Sequence, residues 1–336
     1  MKTEGPMYEE WGQKTEDREA LSVDQTTTGN KQSSVLCHMM RKCQKYWCRK
    51  SRVIPSLVLL GIVLFLVNHS SISIPNCFQT NIREVKYRAT HKDNPLIIVI
   101  TPTYKRLVRM AEMTRMANTL ALVKDLHWIV IEDNNQLQPL VQRLLERSGV
   151  SYTYMAHKTA QGYPRRGWYQ RTMGLRYIRE NYAKILGEHK SGVVYFADDD
   201  NAYDTRLFNE YIRHVKKLGM WAVAFVGGAM VESQIVEEGK VTGYRVLWGT
   251  KRKFAVDMAG FALNLDVVLR YGYGAPEPCL LMDMNLAQSD IEPFGEYDNP
   301  KEVLVWHTKT LKPSLKYNKT ITSPAKNLFG YDMEVV

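Results

Sequence analysis

Apolar and polar positions fall into blocks of different period along this chain. Residues 1–52 are polar, rich in Gln, Thr, Ser and mixed charge, with little periodicity. That composition predicts a largely disordered tail. Residues 53–67 (VIPSLVLLGIVLFLV) carry no charge, and the uncharged stretch continues to Ile74. A helix of about 20 apolar residues crosses the ~30 Å hydrocarbon core of a bilayer, so 53–74 predicts a transmembrane segment. The alternatives are a buried core helix and a cleaved signal peptide. The 52 residues ahead of the run are far more than a signal n-region carries. Arg41, Lys42, Lys45, Arg49, Lys50 and Arg52 crowd its N-terminal side, and no charge follows closely on the other. The excess of Lys and Arg orients the tail to the cytosol, making a type II signal-anchor. Residues 75–94 are polar and end in His91-Lys92-Asp93-Asn94-Pro95, which predicts a stem.

From about residue 95 the period changes again. Leu96–Ile100, Trp128–Ile131, Tyr152–Met155 and Val193–Ala197 are short, β-branched or aromatic runs, as in strands buried on both faces. Between them, 107–122, 137–146 and 169–186 carry helical patterns. The order β-α-β-α-β-α-β predicts an α/β domain whose mostly parallel central sheet has helices on both faces. Residues 95–200 form its first half and 201–336 its second, where Trp221–Val226 and Val303–Trp306 predict further strands.

Composition adjusts this picture little. Hydrophobic residues make up 45% of the 336, so wholesale disorder is excluded. The five cysteines include no CxxC pair, so neither a disulfide scaffold nor a zinc ribbon is expected. Lys and Arg number 45 against 35 Asp and Glu, a net charge of +10. Nucleic acid, anionic lipid and phosphorylated substrates all suit that balance. Ten of the basic residues precede residue 53, which argues against nucleic acid and leaves the remainder to face an anionic small molecule. Asn68-His69-Ser70 and Asn318-Lys319-Thr320 are glycosylation sequons beyond the start of the span.

Ligands of parallel sheets collect at the carboxyl ends of the strands, and those ends carry the candidate chemistry. The first strand ends in Thr101-Pro102-Thr103-Tyr104, the second in Glu132-Asp133-Asn134, and the fourth in Asp198-Asp199-Asp200-Asn201. Three adjacent carboxylates repel unless something offsets them. A divalent cation such as Mg(II) or Mn(II) does so, with hard oxygen ligands; a solvated acidic turn is the alternative. Arg165, Arg166 and Arg171 precede the triplet and suit phosphate. Asp257 sits among apolar neighbours and needs a partner or a task. Glu277 lies between Pro276 and Pro278; spacing alone favours a carboxylate in a first helical turn over a general base. His307 and Lys309 follow the last strand, where phosphate or metal binding competes with simple packing.

TPTYKRLVRMAEMTRMANTL, LHWIVIEDN, GVVYFADDDNAY, WAVAFVGG, KFAVDMAGFALNL and VLVWHTKT occur in that order. Together they resemble the animal β-1,3-glucuronosyltransferases, over about 95–310. The resemblance implies a GT-A fold and inverting, Mn2+-dependent transfer of glucuronic acid from UDP-glucuronate to the 3-hydroxyl of a terminal β-galactose. It implies a galactose acceptor in the building of the proteoglycan linkage tetrasaccharide, a homodimer, and a Golgi membrane location with the catalytic domain luminal. By position, Tyr104 matches the residue stacked on uracil and Asp133 a second uridine contact. Arg166 and Arg171 match donor-side arginines. Asp198, Asp199 and Asp200 match the acidic motif, with Asp200 the metal ligand and Asp199 near ribose or sugar. His307 matches a diphosphate contact. Glu232, Arg252 and Asp257 match acceptor-side positions, and Glu277 matches the catalytic base.

The chain departs from the family in three places. The segment before Glu277 is compressed to Tyr271-Gly272-Tyr273-Gly274-Ala275-Pro276. Lys309 replaces a family Arg, turning a forked contact into a point charge. Trp168-Tyr169 follow Gly167 where smaller residues are usual. The alternatives in view are transfer to galactosyl termini of glycoproteins or glycolipids, a weakened member acting as a binding scaffold, and a metal-dependent phosphohydrolase. The last would need an aspartyl nucleophile or two metals.

Overall fold

The central strands follow from runs that are apolar on every position. Ile97, Val99, Trp128 and Val130 join one buried cluster, and Ile98, Ile100, Ile129 and Ile131 join a second on the opposite face. Successive side chains of a strand point to opposite faces, so an uninterrupted apolar run requires cover on both. The computed structural model describes residues 82–85, 92–164, 166–270, 279–311, 313 and 332–334. The predicted span 53–74, both sequons and Glu277 lie outside the described residues. No helix among the described residues is long and apolar enough to cross a membrane.

The order is β1 (Ile82–Val85), β2 (Leu96–Thr103), α1 (Arg109–Leu120), β3 (Leu126–Glu132), α2 (Pro139–Arg147), β4 (Ser151–Ala156), α3 (Trp168–Leu186) and β5 (Gly192–Phe196). Then come β6 (Ala202–Tyr203), β7 (Leu218–Met220), β8 (Val223–Ala224), β9 (Val231–Glu237) and β10 (Lys240–Arg245). Last are β11 (Phe261–Asn264), α4 (Leu265–Arg270), α5 (Cys279–Asp283), β12 (Ile291–Pro293) and β13 (Val305–Trp306). An eight-stranded sheet runs β1-β4-β3-β2-β5-β11-β7-β12, and a five-stranded one runs β10-β9-β8-β13-β6. Strands β4, β3, β2 and β5 are mutually parallel, as expected. Against them, β1 and β11 are antiparallel to their neighbours, so the sheet is mixed.

Two expectations need correction. Part of the predicted stem is a strand: Ile82–Val85 pairs with Tyr152–Met155 at the sheet edge. The predicted strand Trp221–Val226 shortens to Val223–Ala224, which belongs to the smaller sheet. Its register sets Val223 opposite Glu232, and His307 follows from the neighbouring β13, its N–H donating to the Ala224 carbonyl (2.9 Å).

Helix α3 packs closely on the sheet because Gly174 faces Ile100; a Cβ there would stand 2.9 Å from a methyl group. Under α1 lies a buried charge cluster. Arg109, at 0% exposure, donates from Nη1 to Glu132 Oε1 at 2.6 Å and from Nε to Glu334 Oε2 at 2.9 Å. Tyr154 donates its hydroxyl to the other Glu132 oxygen at 2.7 Å, and the Gln138 N–H donates to the Tyr154 oxygen at 3.1 Å. Burial raises the Glu132 carboxyl above its usual range, while Arg109 and Tyr154 pull it back. Outside the cluster, Arg143 pairs with Asp332, so residues 332–334 are fastened to the first half of the domain.

Candidate active site

The site forms where β2, β3 and β5 end. Each member of the acidic triplet has a different surrounding. Asp198 pairs with Arg171, and Arg171 also donates from Nη1 to the Arg166 carbonyl at 2.9 Å. Asp199 is buried and fully engaged. Thr103 donates to it at 2.7 Å, and Arg106 grips both its oxygens, Nη1 at 2.9 Å from Oδ2 and Nη2 at 2.8 Å from Oδ1. Burial raises the Asp199 carboxyl, and Arg106 and Thr103 oppose the rise. The Asp200 carboxylate has no hydrogen bond or ion pair among the described residues. Its carboxyl is pushed up to about 6, first by burial and then by repulsion from Asp198 and Asp199, with His307 acting the other way.

Two arginines therefore neutralise two of the three carboxylates, and the third has no such compensation among the described residues. Among the described residues no three His, Cys, Asp or Glu side chains stand together as a metal cage. A carboxylate oxygen fits a hard divalent ion such as Mn2+, which Asp200 would hold. His307 contributes a buried Nδ1 that lacks a hydrogen-bond partner, another open polar atom at the same corner. Lys309 is exposed. The Asp200 backbone is held in place by its carbonyl, which accepts from Arg115 at 2.5 Å and from the Thr308 hydroxyl.

On the far side of β2, Tyr104 presents its ring to solvent, 56% exposed. Asp133 is fixed by Thr159, whose N–H and hydroxyl donate at 2.7 and 2.8 Å. Gln170 from α3 ties in through the Thr159 oxygen at 3.1 Å and the His157 carbonyl at 2.8 Å. Arg166 is exposed and, with Gly167, takes left-handed φ of 74° and 75°. A Cβ on Gly167 would fall 2.6 Å from Pro102, so this loop meets the end of β2 only through glycine.

Glu232, Arg252 and Asp257 form a second group. Glu232 is 5% exposed, with Oε1 buried and without a hydrogen-bond partner. Burial raises its carboxyl, opposed by Arg252 and reinforced by Asp257. Asp257 caps a short turn, accepting from the Ala259 N–H at 2.9 Å. Burial raises it too, and Asp198 and His307 act on it electrostatically in opposite senses. This group and the acidic triplet are thus neighbours. Arg252 stacks 4.6 Å from the Trp248 ring centroid and donates to the Gly249 carbonyl at 3.2 Å. Glu277 and Asn318 are outside the described residues.

Sequence reasoning missed Arg106, Thr159, Gln170 and Trp248. Arg106 lies in the TPTYKR motif beside Tyr104, which was the available signal. Thr159 and Gln170 reach Asp133 only through the fold.

Residues 116–311 match the family model for glycosyltransferase family 43. The human protein named galactosylgalactosylxylosylprotein 3-beta-glucuronosyltransferase 1 is 41% identical over 254 residues, 69% of this chain and 74% of that one. The mouse protein of the same name numbered 3 is 39% identical over 251 residues, 68% and 74%. The human protein numbered 2 is 40% identical over 235 residues, 66% and 71%. The matched region runs from the middle of α1 past β13 and takes in the acidic triplet, Glu232, Arg252, Asp257 and His307; this chain belongs to glycosyltransferase family 43.

Proposed function

We propose that this chain transfers glucuronic acid from UDP-glucuronate to the 3-hydroxyl of a terminal β-galactose, with inversion, in building the proteoglycan linkage tetrasaccharide. The observation that carries the reading is the division of the triplet: Asp198 and Asp199 are each held by an arginine, and Asp200, near His307, has no such partner among the described residues. The names of the relatives supply the reaction class. A GT-A arrangement fits the mixed sheet with a nucleotide-facing half (95–200) and an acceptor half (201–336). A type II anchor at 53–74, a luminal Golgi location, a homodimer and glycosylation at Asn318 and Asn68 belong to the same proposal.

In this reading Tyr104 stacks on uracil, and Asp133, oriented by Thr159, takes a uridine hydrogen bond. Glu277 accepts the proton of the galactose 3-hydroxyl as that oxygen bonds to the anomeric carbon. The bond from that carbon to the UDP oxygen breaks, and its electron pair leaves with UDP. Arg166, His307 and Lys309 face the charge gathering on the diphosphate, where prepositioned donors act most strongly. Arg171 keeps Asp198 neutralised beside them. When bound to Asp200, Mn2+ supplies Lewis-acid stabilisation of the leaving diphosphate. Glu232, Arg252 and Asp257 orient the acceptor and donor sugars; the unpartnered Glu232 oxygen suits a sugar hydroxyl donor.

The test is product formation from UDP-glucuronate and a panel of β-galactosides, with and without Mn2+. Turnover is expected only with the metal, and silence across the whole panel overturns the proposal. Preference for glycoprotein or glycolipid termini would move the acceptor assignment alone. Glu277→Gln should keep UDP binding and lose transfer; normal transfer by that variant removes Glu277 as the base.

A further inference from the structure

We propose that Arg106 is a positioning residue of the donor site: one guanidinium holds Asp199 inside the fold and supports the ring of Tyr104. The inference rests on the donor reading above.

Arg106 follows β2 in the loop that carries Tyr104. Its Nη1 and Nη2 meet the two oxygens of Asp199 at 2.9 and 2.8 Å, a forked pair that fixes direction as well as charge. Its Nε donates to the buried Glu112 Oε2 at 2.8 Å, so α1 braces the group from behind. The guanidinium carbon lies 5.0 Å from the Tyr104 ring centroid, and Nη1 reaches the Tyr104 carbonyl at 3.4 Å. An arginine within about 6 Å of an aromatic face attracts it through the ring quadrupole. Tyr104 is otherwise largely exposed, and an exposed ring held still loses less freedom on stacking.

Two consequences meet in this side chain. Asp199 has both oxygens engaged by Arg106 and Thr103. Its charge is thereby compensated within the protein. At the same time the base platform is tied to the acidic triplet through a single residue. Lysine would keep the charge and lose the fork.

The test uses UMP, which carries the base without the diphosphate, and needs no metal. UMP affinity and melting temperature are measured for the full chain, for Asp199→Asn, and for Asp199→Asn combined with Glu112→Gln and Arg106→Gln. In Asp199→Asn the guanidinium keeps Glu112 and the Tyr104 ring; the triple variant removes it together with both buried charges it pairs. The triple variant is expected to melt within a few degrees of wild type and to bind UMP about two- to fivefold more weakly than Asp199→Asn, the scale of a lost cation–π support at an exposed ring. If the triple variant binds UMP as Asp199→Asn does, Arg106 merely neutralises the two carboxylates and the proposal falls. If wild type itself binds neither UMP nor UDP, the donor reading fails first, and the two failures are thereby told apart.

Discussion

Arg109→Met tests the buried charge cluster most directly. Arg109 is wholly buried between Glu132 and Glu334, bonded at 2.6 and 2.9 Å. Methionine fills much of the space but leaves two carboxylates facing each other without a cation. Breaking a buried pair by removing one partner costs about 3–5 kcal/mol. In a domain of this size each kcal/mol lowers the melting temperature by about 2–4 °C. The expected loss is therefore roughly 6–20 °C. The sign of the pH dependence follows from Glu132. Burial raises its carboxyl and Arg109 opposes that rise, so the variant raises it further. A carboxyl whose folded pKa lies above its unfolded value stabilises the fold below the unfolded value, about 4.3. That contribution is lost as pH climbs through the folded value. The deficit of Arg109→Met against wild type should thus be smaller at about pH 4.5 than at about pH 7.5. Adding Glu132→Gln and Glu334→Gln should recover much of the loss, because no charge is then left unpaired. Thermal melts at the two pH values decide it. An equal deficit at both, or one under about 1 kcal/mol, refutes the cluster as a unit.

Two further outcomes follow from the site. Gly167→Ala sets a Cβ 2.6 Å from Pro102 at a φ of 75°; donor KM should rise several-fold and the melting temperature fall by the equivalent of about 1–3 kcal/mol, read by kinetics and calorimetry. Asp200→Asn removes a carboxylate that has no hydrogen-bond or ion-pair partner among the described residues and is repelled by two neighbours. Its melting temperature should hold or rise, while Mn2+-dependent UDP binding is lost, as calorimetric titration would register.

The parallel strands β2 to β5 were legible because burial on both faces demands unbroken apolar runs. The helices between them shifted by one or two residues at their ends, where sequence pattern is weakest. Strand β1 was not legible. Ile-Arg-Glu-Val is short and polar, and it becomes a strand only by pairing with β4. The smaller sheet was missed in part because β6, β8 and β13 are two residues each, too short to display a period. At the site, the triplet announced itself through its place after β5. Its partition did not, since Arg106 and Asp199 meet across 93 positions and Arg171 and Asp198 across 27. Charge counting along the chain cannot tell which aspartate is compensated.

The link between Arg109 and Glu334 also has a meaning in time. The two are separated by 225 positions. A ribosome adding about 5–20 residues per second takes roughly 10–45 s to cover that interval. For all but its first 23 positions, the nascent chain contains Arg109 and Glu132 but has not yet received the second carboxylate. Sealing of this corner is thus deferred until residue 334 has been made, and a nascent chain stalled before it would carry Arg109 and Glu132 with the charge cluster still open.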